Sequence, residues 1–252
     1  MTGIRSRILC AITAAMTGMT PVFAQQSTPL SAAEEAAVRA LILETIRDNP
    51  EVIIDAVRAY QTQAAADEEA GRRAAIAALR DDLQSDPNAD SLGNPEGDTV
   101  IVEFFDYNCP YCKRAAPEVA GLIADDPDLR VVMREWPILG PESELAARAS
   151  LAARAQGKYA AFHEALMAQP RANEVTIRRA AEEAGLDFDR LQADMKEPEV
   201  EAHIARSREL ATQLGITGTP TFIIGDGLVP GFAEKAQLAA VIAEARTSAG
   251  EP

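Results

Sequence analysis

Two cysteines three residues apart, in the run Cys109-Pro110-Tyr111-Cys112, are the residues of this chain best suited to chemistry. The run follows a β-branched and aromatic segment and opens a helical one. A cysteine at a helix start meets unpaired N–H groups and the positive end of the dipole, which favour thiolate over thiol. Such placement brings a thiol pKa from about 8.5 towards about 3.5–7.5. The spacing lets Cys112 reach Cys109 within one turn, so the second thiol can resolve a mixed disulfide made by the first. Cys109 is therefore expected to be the exposed nucleophile and Cys112 its more buried partner. A purely structural disulfide across so short a loop would stabilise little. With three cysteines and two histidines in the whole chain, no second pair completes a zinc site, and no metal or cofactor is called for.

The elements around the motif read as an α/β plan. Thr99 to Asp106 is a buried strand by pattern, 110–124 a helix, and Leu129 to Trp136 a second strand. Helices follow over about 142–168, 174–184, 187–195 and 197–213. Thr221 to Gly225 is a third strand, Leu228 to Pro230 a short fourth, and Glu234 to Arg246 a closing helix. Residues 86–98 are turn chemistry throughout and mark a boundary. Of the 252 residues, 47% are hydrophobic but only 5% aromatic, and alanine dominates the apolar content, as in a helix-rich protein. The net charge of −15 argues against a nucleic-acid partner, which needs clustered Lys and Arg.

Residues 1–24 read as a secretory signal peptide. Arg5 and Arg7 precede an apolar stretch from Ile8 to Met19, and Val22-Phe23-Ala24 suits a cleavage site. The stretch is too short and too polar to span a bilayer of about 30 Å. This places the mature protein in an oxidising, periplasmic setting, where a lone Cys109–Cys112 pair serves chemistry. Residues 25–62 read as a helical arm: Ser31 with Glu34 is a capping box, and Asn49-Pro50 separates two short amphipathic helices. Ile42, Ile46, Ile53 and Val57 must bury their stripes on the rest of the chain or on copies of themselves. Self-association is the favoured outcome, with 63–89 as a solvated helical linker and 90–252 as the main domain, its helical insertion at about 140–215.

The stretch from Val102 through Cys112 resembles the active-site strand and helix of the DsbA-like branch of the thioredoxin superfamily. Gly218-Thr219-Pro220-Thr221-Phe222 resembles that family's cis-proline loop, and the helical insertion fits the same branch. Asp48-Asn49-Pro50-Glu51-Val52-Ile53 resembles the oligomerisation region of suppressor of copper sensitivity C-type proteins. The resemblance implies a thioredoxin-like fold with a helical insertion behind an N-terminal arm. It implies that Glu103, six residues before Cys109, is a buried acid with a raised pKa that takes the Cys112 proton during exchange. It implies a cis bond at Thr219-Pro220 beside Cys109, where an extended substrate pairs with the backbone. Pro110 and Tyr111, between the cysteines, join Thr219 and Pro220 as substrate-binding residues. Pro117 is read as an architectural kink, and His163 and His203 as ordinary surface or core residues.

The expected activity is periplasmic thiol–disulfide exchange on unfolded or misfolded exported proteins, served by a membrane redox partner. Thr219 before Pro220 and the oligomerisation arm point to an isomerase or reductase working as a homo-oligomer, a trimer favoured. A monomeric dithiol oxidase is the alternative, weakened by Tyr111 standing where strong oxidases carry histidine. From a different class comes a copper carrier holding Cu(I) between the two thiolates, for which the few scattered methionines offer little support.

Overall fold

The computed structural model describes residues 30–249, so the leader read in 1–24 lies outside the described residues. The chain divides into two units, residues 1–61 and 62–252. The first unit contains α1 (Ala32–Asp48) and the opening turns of α2 (Glu51–Ala78). Ser31 caps α1 reciprocally: the Glu34 N–H donates to Ser31 Oγ at 3.3 Å, and the Ser31 N–H donates to Glu34 Oε2 at 2.8 Å. No residue of α1 is buried. Leu41, Ile42, Ile53, Val57 and Tyr60 are all exposed large apolar side chains.

The second unit is built on a five-stranded sheet in the order β1-β3-β2-β4-β5. Its strands are β1 (Ser91–Gly93), β2 (Thr99–Phe105), β3 (Leu129–Glu135), β4 (Thr221–Ile224) and β5 (Gly227–Pro230). β2 and β3 are parallel, joined by helix α4 (Pro110–Asp125); every other pairing is antiparallel. Side chains alternate across a strand, and β2 is buried on both faces. Ile101 and Phe105 join the larger core with Val119, Leu122, Met133 and Phe222, whereas Val102 and Phe104 join the second with Val132 and Ile223. Glu103 has the parity of Ile101 and Phe105 and stands opposite Met133 and Phe222. The strand's alternation thus puts a carboxyl on the face that α4 covers.

Helices α5 (Pro141–Ala153), α6 (Tyr159–Met167), α7 (Glu174–Glu183), α8 (Phe188–Asp194) and α9 (Pro198–Gln213) form the insertion between β3 and β4, and α10 (Lys235–Ala249) closes the chain. Three features differ from expectation. The single helix expected over 142–168 is broken after Ala153 by a short 3-10 turn that ends at Gly157. Its φ of 67° is a left-handed conformation that glycine adopts without a Cβ penalty. The turn-rich segment 86–98 contains β1, a three-residue strand too short to show alternation. The solvated linker is instead part of α2 and the short α3 (Arg80–Gln84), and Ile76 and Leu83 are 2% and 1% exposed in the second core. Their narrow apolar stripe covers the sheet.

Polar clamps reinforce both faces of the sheet. Arg134 on β3 is fully buried, pairs with Asp86 and donates to the carbonyls of Asp82 and Leu83. Next to it, Glu135 accepts from the Tyr159 hydroxyl at 2.7 Å and lies 2.8 Å from His203 Nε2. His163 Nδ1 lies 2.9 Å from the Tyr107 hydroxyl. Both histidines are buried core residues with polar partners. Because Ile76 is core rather than linker, Ile76→Ala is expected to cost about 2–5 kcal/mol in urea denaturation. A cost near zero would return the segment to solvent.

Candidate functional site

β2 ends at Phe105, and three residues turn the chain into α4. The turn is built from side chains that replace missing backbone partners. Asp106 accepts from the Asn108 N–H at 2.7 Å through one carboxylate oxygen. Its other oxygen accepts from the N–H groups of Ile138 and Leu139 at 2.8 and 3.0 Å. Asn108 clasps Ala172 in both directions, donating to its carbonyl at 3.1 Å and accepting from its N–H at 2.8 Å. The loop after β3 and the segment before α7 are thereby tied to the active turn. Cys109 then caps α4 with extended backbone, and Pro110 occupies the first turn, where its missing N–H is not needed.

The chain returns to the motif at the loop before β4. The Thr219–Pro220 bond is cis. Cys109 Sγ donates to the Thr219 carbonyl at 3.2 Å. The loop is held by Thr221 Oγ1 donating to Gly218 O at 2.7 Å and by the Gly231 N–H donating to Pro220 O at 2.8 Å. Cys109, Cys112, Pro110, Tyr111, Thr219 and Pro220 therefore share one end of the sheet, with Glu103 beneath α4. Both thiols are free. Cys109 is less open than expected at 6% exposure, yet Cys112 is buried completely and Tyr111 is 54% exposed.

The two thiols are electrostatically unlike. Cys109 is lowered to about 5, first by the hydrogen bond with the Cys112 thiol; the Thr219 side chain and the N–H groups of Cys112 and Tyr111 add to this against partial burial. Burial pushes Cys112 far above the ordinary thiol range, and the Cys109 and Glu103 groups raise it further. Glu103, 3% exposed, is raised to about 8 by burial. It lines a cavity of about 820 Å³ together with Lys113, Pro117 and His163. The Lys113 ammonium, lowered by burial, also faces this region without a hydrogen-bond partner. The arrangement provides a nucleophilic sulfur, a protonated second sulfur one turn away, and a carboxyl whose pKa suits proton transfer near neutrality.

Asp106, Asn108 and Lys113 escaped the sequence reading. The Asp-x-Asn spacing before the motif carried an Asx-turn signal, whereas nothing in sequence marks Lys113 as facing inward. Among the described residues, no group of three or more His, Cys, Asp or Glu is placed to hold a metal ion.

Two outcomes follow from these shifts. Iodoacetamide should label Cys109 before Cys112 with a midpoint near pH 5; a midpoint at or above about 8.5 would contradict the geometry. For Glu103, a folded pKa above the unfolded value means the folded state holds its proton longer, so this residue's contribution to stability falls as pH rises from about 4.5 to about 8. Glu103→Gln should therefore gain stability over wild type progressively across that window in urea titrations of the reduced protein. A difference independent of pH would show that the carboxyl is not held protonated.

Comparison with known proteins agrees with this geometry. The model of the DSBA-like thioredoxin domain matches residues 100–243, and that of the copper resistance protein ScsC N-terminal domain matches residues 34–67. A thioredoxin-like oxidoreductase from Silicibacter pomeroyi is 60% identical, with a TM-score of 0.65, covering 67% of this chain and 98% of its own. Proteus mirabilis ScsC in a transitional conformation is 31% identical, with a TM-score of 0.64, over 87% of this chain and 98% of its own. Among curated proteins, a Na(+)/H(+) antiporter NhaA 3 of Salinispora tropica is 34% identical over 143 residues, which are 55% of this chain but only 22% of that protein. The chain thus spans about a fifth of the length of the curated relatives it matches. No helix among the described residues is long and apolar enough to cross a membrane. With its strand, motif helix, insertion and cis-proline loop in this order, and with the family model matching more than half its length, the chain belongs to the DSBA-like thioredoxin family.

Proposed function

We propose that this protein carries out thiol–disulfide exchange on cysteine-containing polypeptides exported to the periplasm, as an isomerase or reductase acting from an oligomer. The observation that carries the exchange chemistry is the opposite displacement of the two thiols, Cys109 down and Cys112 up. Cys109 thiolate attacks one sulfur of a substrate disulfide, forming a mixed disulfide and releasing the other substrate sulfur as a thiolate. That thiolate either attacks another disulfide of the substrate, and a substrate thiolate then displaces Cys109 from the mixed disulfide, which isomerises the substrate with no net electron transfer, or it takes up a proton. In the second case Cys112 gives its proton to Glu103 in its ionised form, a minority below about pH 8, and attacks Cys109 Sγ. The substrate leaves fully reduced, and the Cys109–Cys112 disulfide holds the two-electron oxidation.

Export is supported by the basic and apolar pattern of residues 1–24. Assembly, with a trimer favoured, is supported by the ScsC-type match over 34–67 and by the exposed Ile42, Ile53 and Val57. Several such side chains buried per chain, at about 1.5–3 kcal/mol each, offset the cost of association. Linked active sites hold a misfolded substrate through repeated exchange. A membrane redox partner would return the pair to its working state.

One observation favours a second reading. A Cys109 pKa of about 5 stabilises the reduced form, and a stabilised reduced form makes a pair more oxidising, as in a monomeric dithiol oxidase. Sedimentation and refolding of scrambled ribonuclease separate the two. The full mature chain should sediment as a trimer, and a chain beginning at Ala64 as a monomer with unchanged Cys109 labelling and weaker refolding. A monomeric full chain would remove the arm from the account, and equal refolding by both forms would break the link from assembly to isomerisation.

A further inference from the structure

A groove of about 760 Å³ runs beside the Thr219–Pro220 loop. One wall belongs to the thioredoxin fold and includes Ile216, Thr219 and Pro230. The facing wall is α2, through Gly71, Arg72 and Ala75. Arg72 is half-buried there and held in place by Glu68 at 3.1 Å and Glu69 at 3.5 Å, so its side chain stiffens the wall. Gly71 is the exception to an otherwise ordinary helical surface. Glycine inside a helix is disfavoured relative to alanine, and packing gives no reason for it, since a Cβ built on Gly71 meets nothing within 4 Å. The missing side chain leaves open space facing the cis-proline loop.

Any disulfide attacked by Cys109 must bring its sulfur to an atom that lies 3.2 Å from the Thr219 carbonyl. An extended chain advances about 3.3 Å per residue, so the two or three residues flanking the substrate cysteine cover about 7–10 Å from that point. Thr219, which Cys109 touches, itself lines the groove and brings those residues to its mouth. We propose that the Gly71 face of α2 is the far wall of the polypeptide-binding groove. The space over Gly71 admits an apolar side chain close to the reacting cysteine, against Ala75, Ile216 and Pro230. The occupant is an extended, unfolded polypeptide segment, and a small disulfide such as glutathione does not reach the wall. This rests on Cys109 being the attacking thiol of polypeptide disulfide exchange.

The test uses the full chain and its Gly71→Leu variant, reduced, with two probes. One is oxidised glutathione; the other is a disulfide-linked dimer of an unstructured ten-residue peptide with leucine beside its cysteine. Leucine is a better helix former than glycine and meets open space, and urea denaturation with Cys109 labelling checks that fold and thiol are intact. The variant should reduce the peptide dimer about tenfold more slowly, the order of effect expected when an apolar subsite is filled, with glutathione reduction unchanged. Gly71→Ala should fall between. An unchanged peptide rate, or an equal fall in both rates, would overturn the groove. A wild-type protein that reduces neither probe would overturn the exchange reading beneath it.

Discussion

A negative charge on Cys109 has to be stabilised without being sealed off, and much of the architecture follows from that constraint. The charge is supported from one side by the start of α4, with the N–H groups of Tyr111 and Cys112 and the Cys112 thiol itself. Using Cys112 as a donor requires that it keep its proton, which complete burial ensures. A buried thiol that must later lose its proton needs an acceptor that is also buried, and the parity of β2 supplies Glu103 on the right face. Each group's unusual acidity is thus a condition of the next.

Such a cluster is only as good as the frame that holds it. The turn Asp106-Tyr107-Asn108 does not rest on its own backbone but reaches into three neighbouring segments. Asp106 anchors the loop after β3, Asn108 the residues before α7, and Tyr107 contacts Ser150 and His163 of the insertion. The insertion is therefore more than a covering layer for the sheet. Its helices supply hydrogen-bond partners that the active turn would otherwise lack in a buried setting, where an unpaired polar group is costly. On the opposite face, α2, α3 and Arg134 do the corresponding work for β3.

Much of this was legible in the sequence because the signals were local. The Cys-x-x-Cys spacing, the strand before it, the helix after it and the acid six residues upstream all lie in one continuous run from Thr99 to Asp125. The unread parts depend on distant partners. Ile76 and Leu83 sit seven residues apart in the segment read as a linker, and nothing local says that the sheet receives them. His203 meets Glu135, and Asn108 meets Ala172, across long stretches of chain that no periodicity links. Gly157 was hidden because the alanine-rich segments on either side read as one helix, and β1 because three residues are too few to alternate. Thr219 and Pro220 were legible only as a pattern. Their nearness to Cys109 is a property of the closed fold.

The hydrogen bond from Cys109 Sγ to the Thr219 carbonyl exists only while the sulfur carries its proton. A thiolate has nothing to donate, and two sets of lone pairs then face each other across the gap. Ionisation, besides creating a nucleophile, therefore releases the carbonyl from its internal partner and leaves it seeking a donor. An N–H from an incoming backbone satisfies that need. Arming the sulfur and unlatching the acceptor beside it are one proton's departure, which makes the fully protonated pair, present below about pH 5, a self-satisfied surface and the thiolate an unsatisfied one.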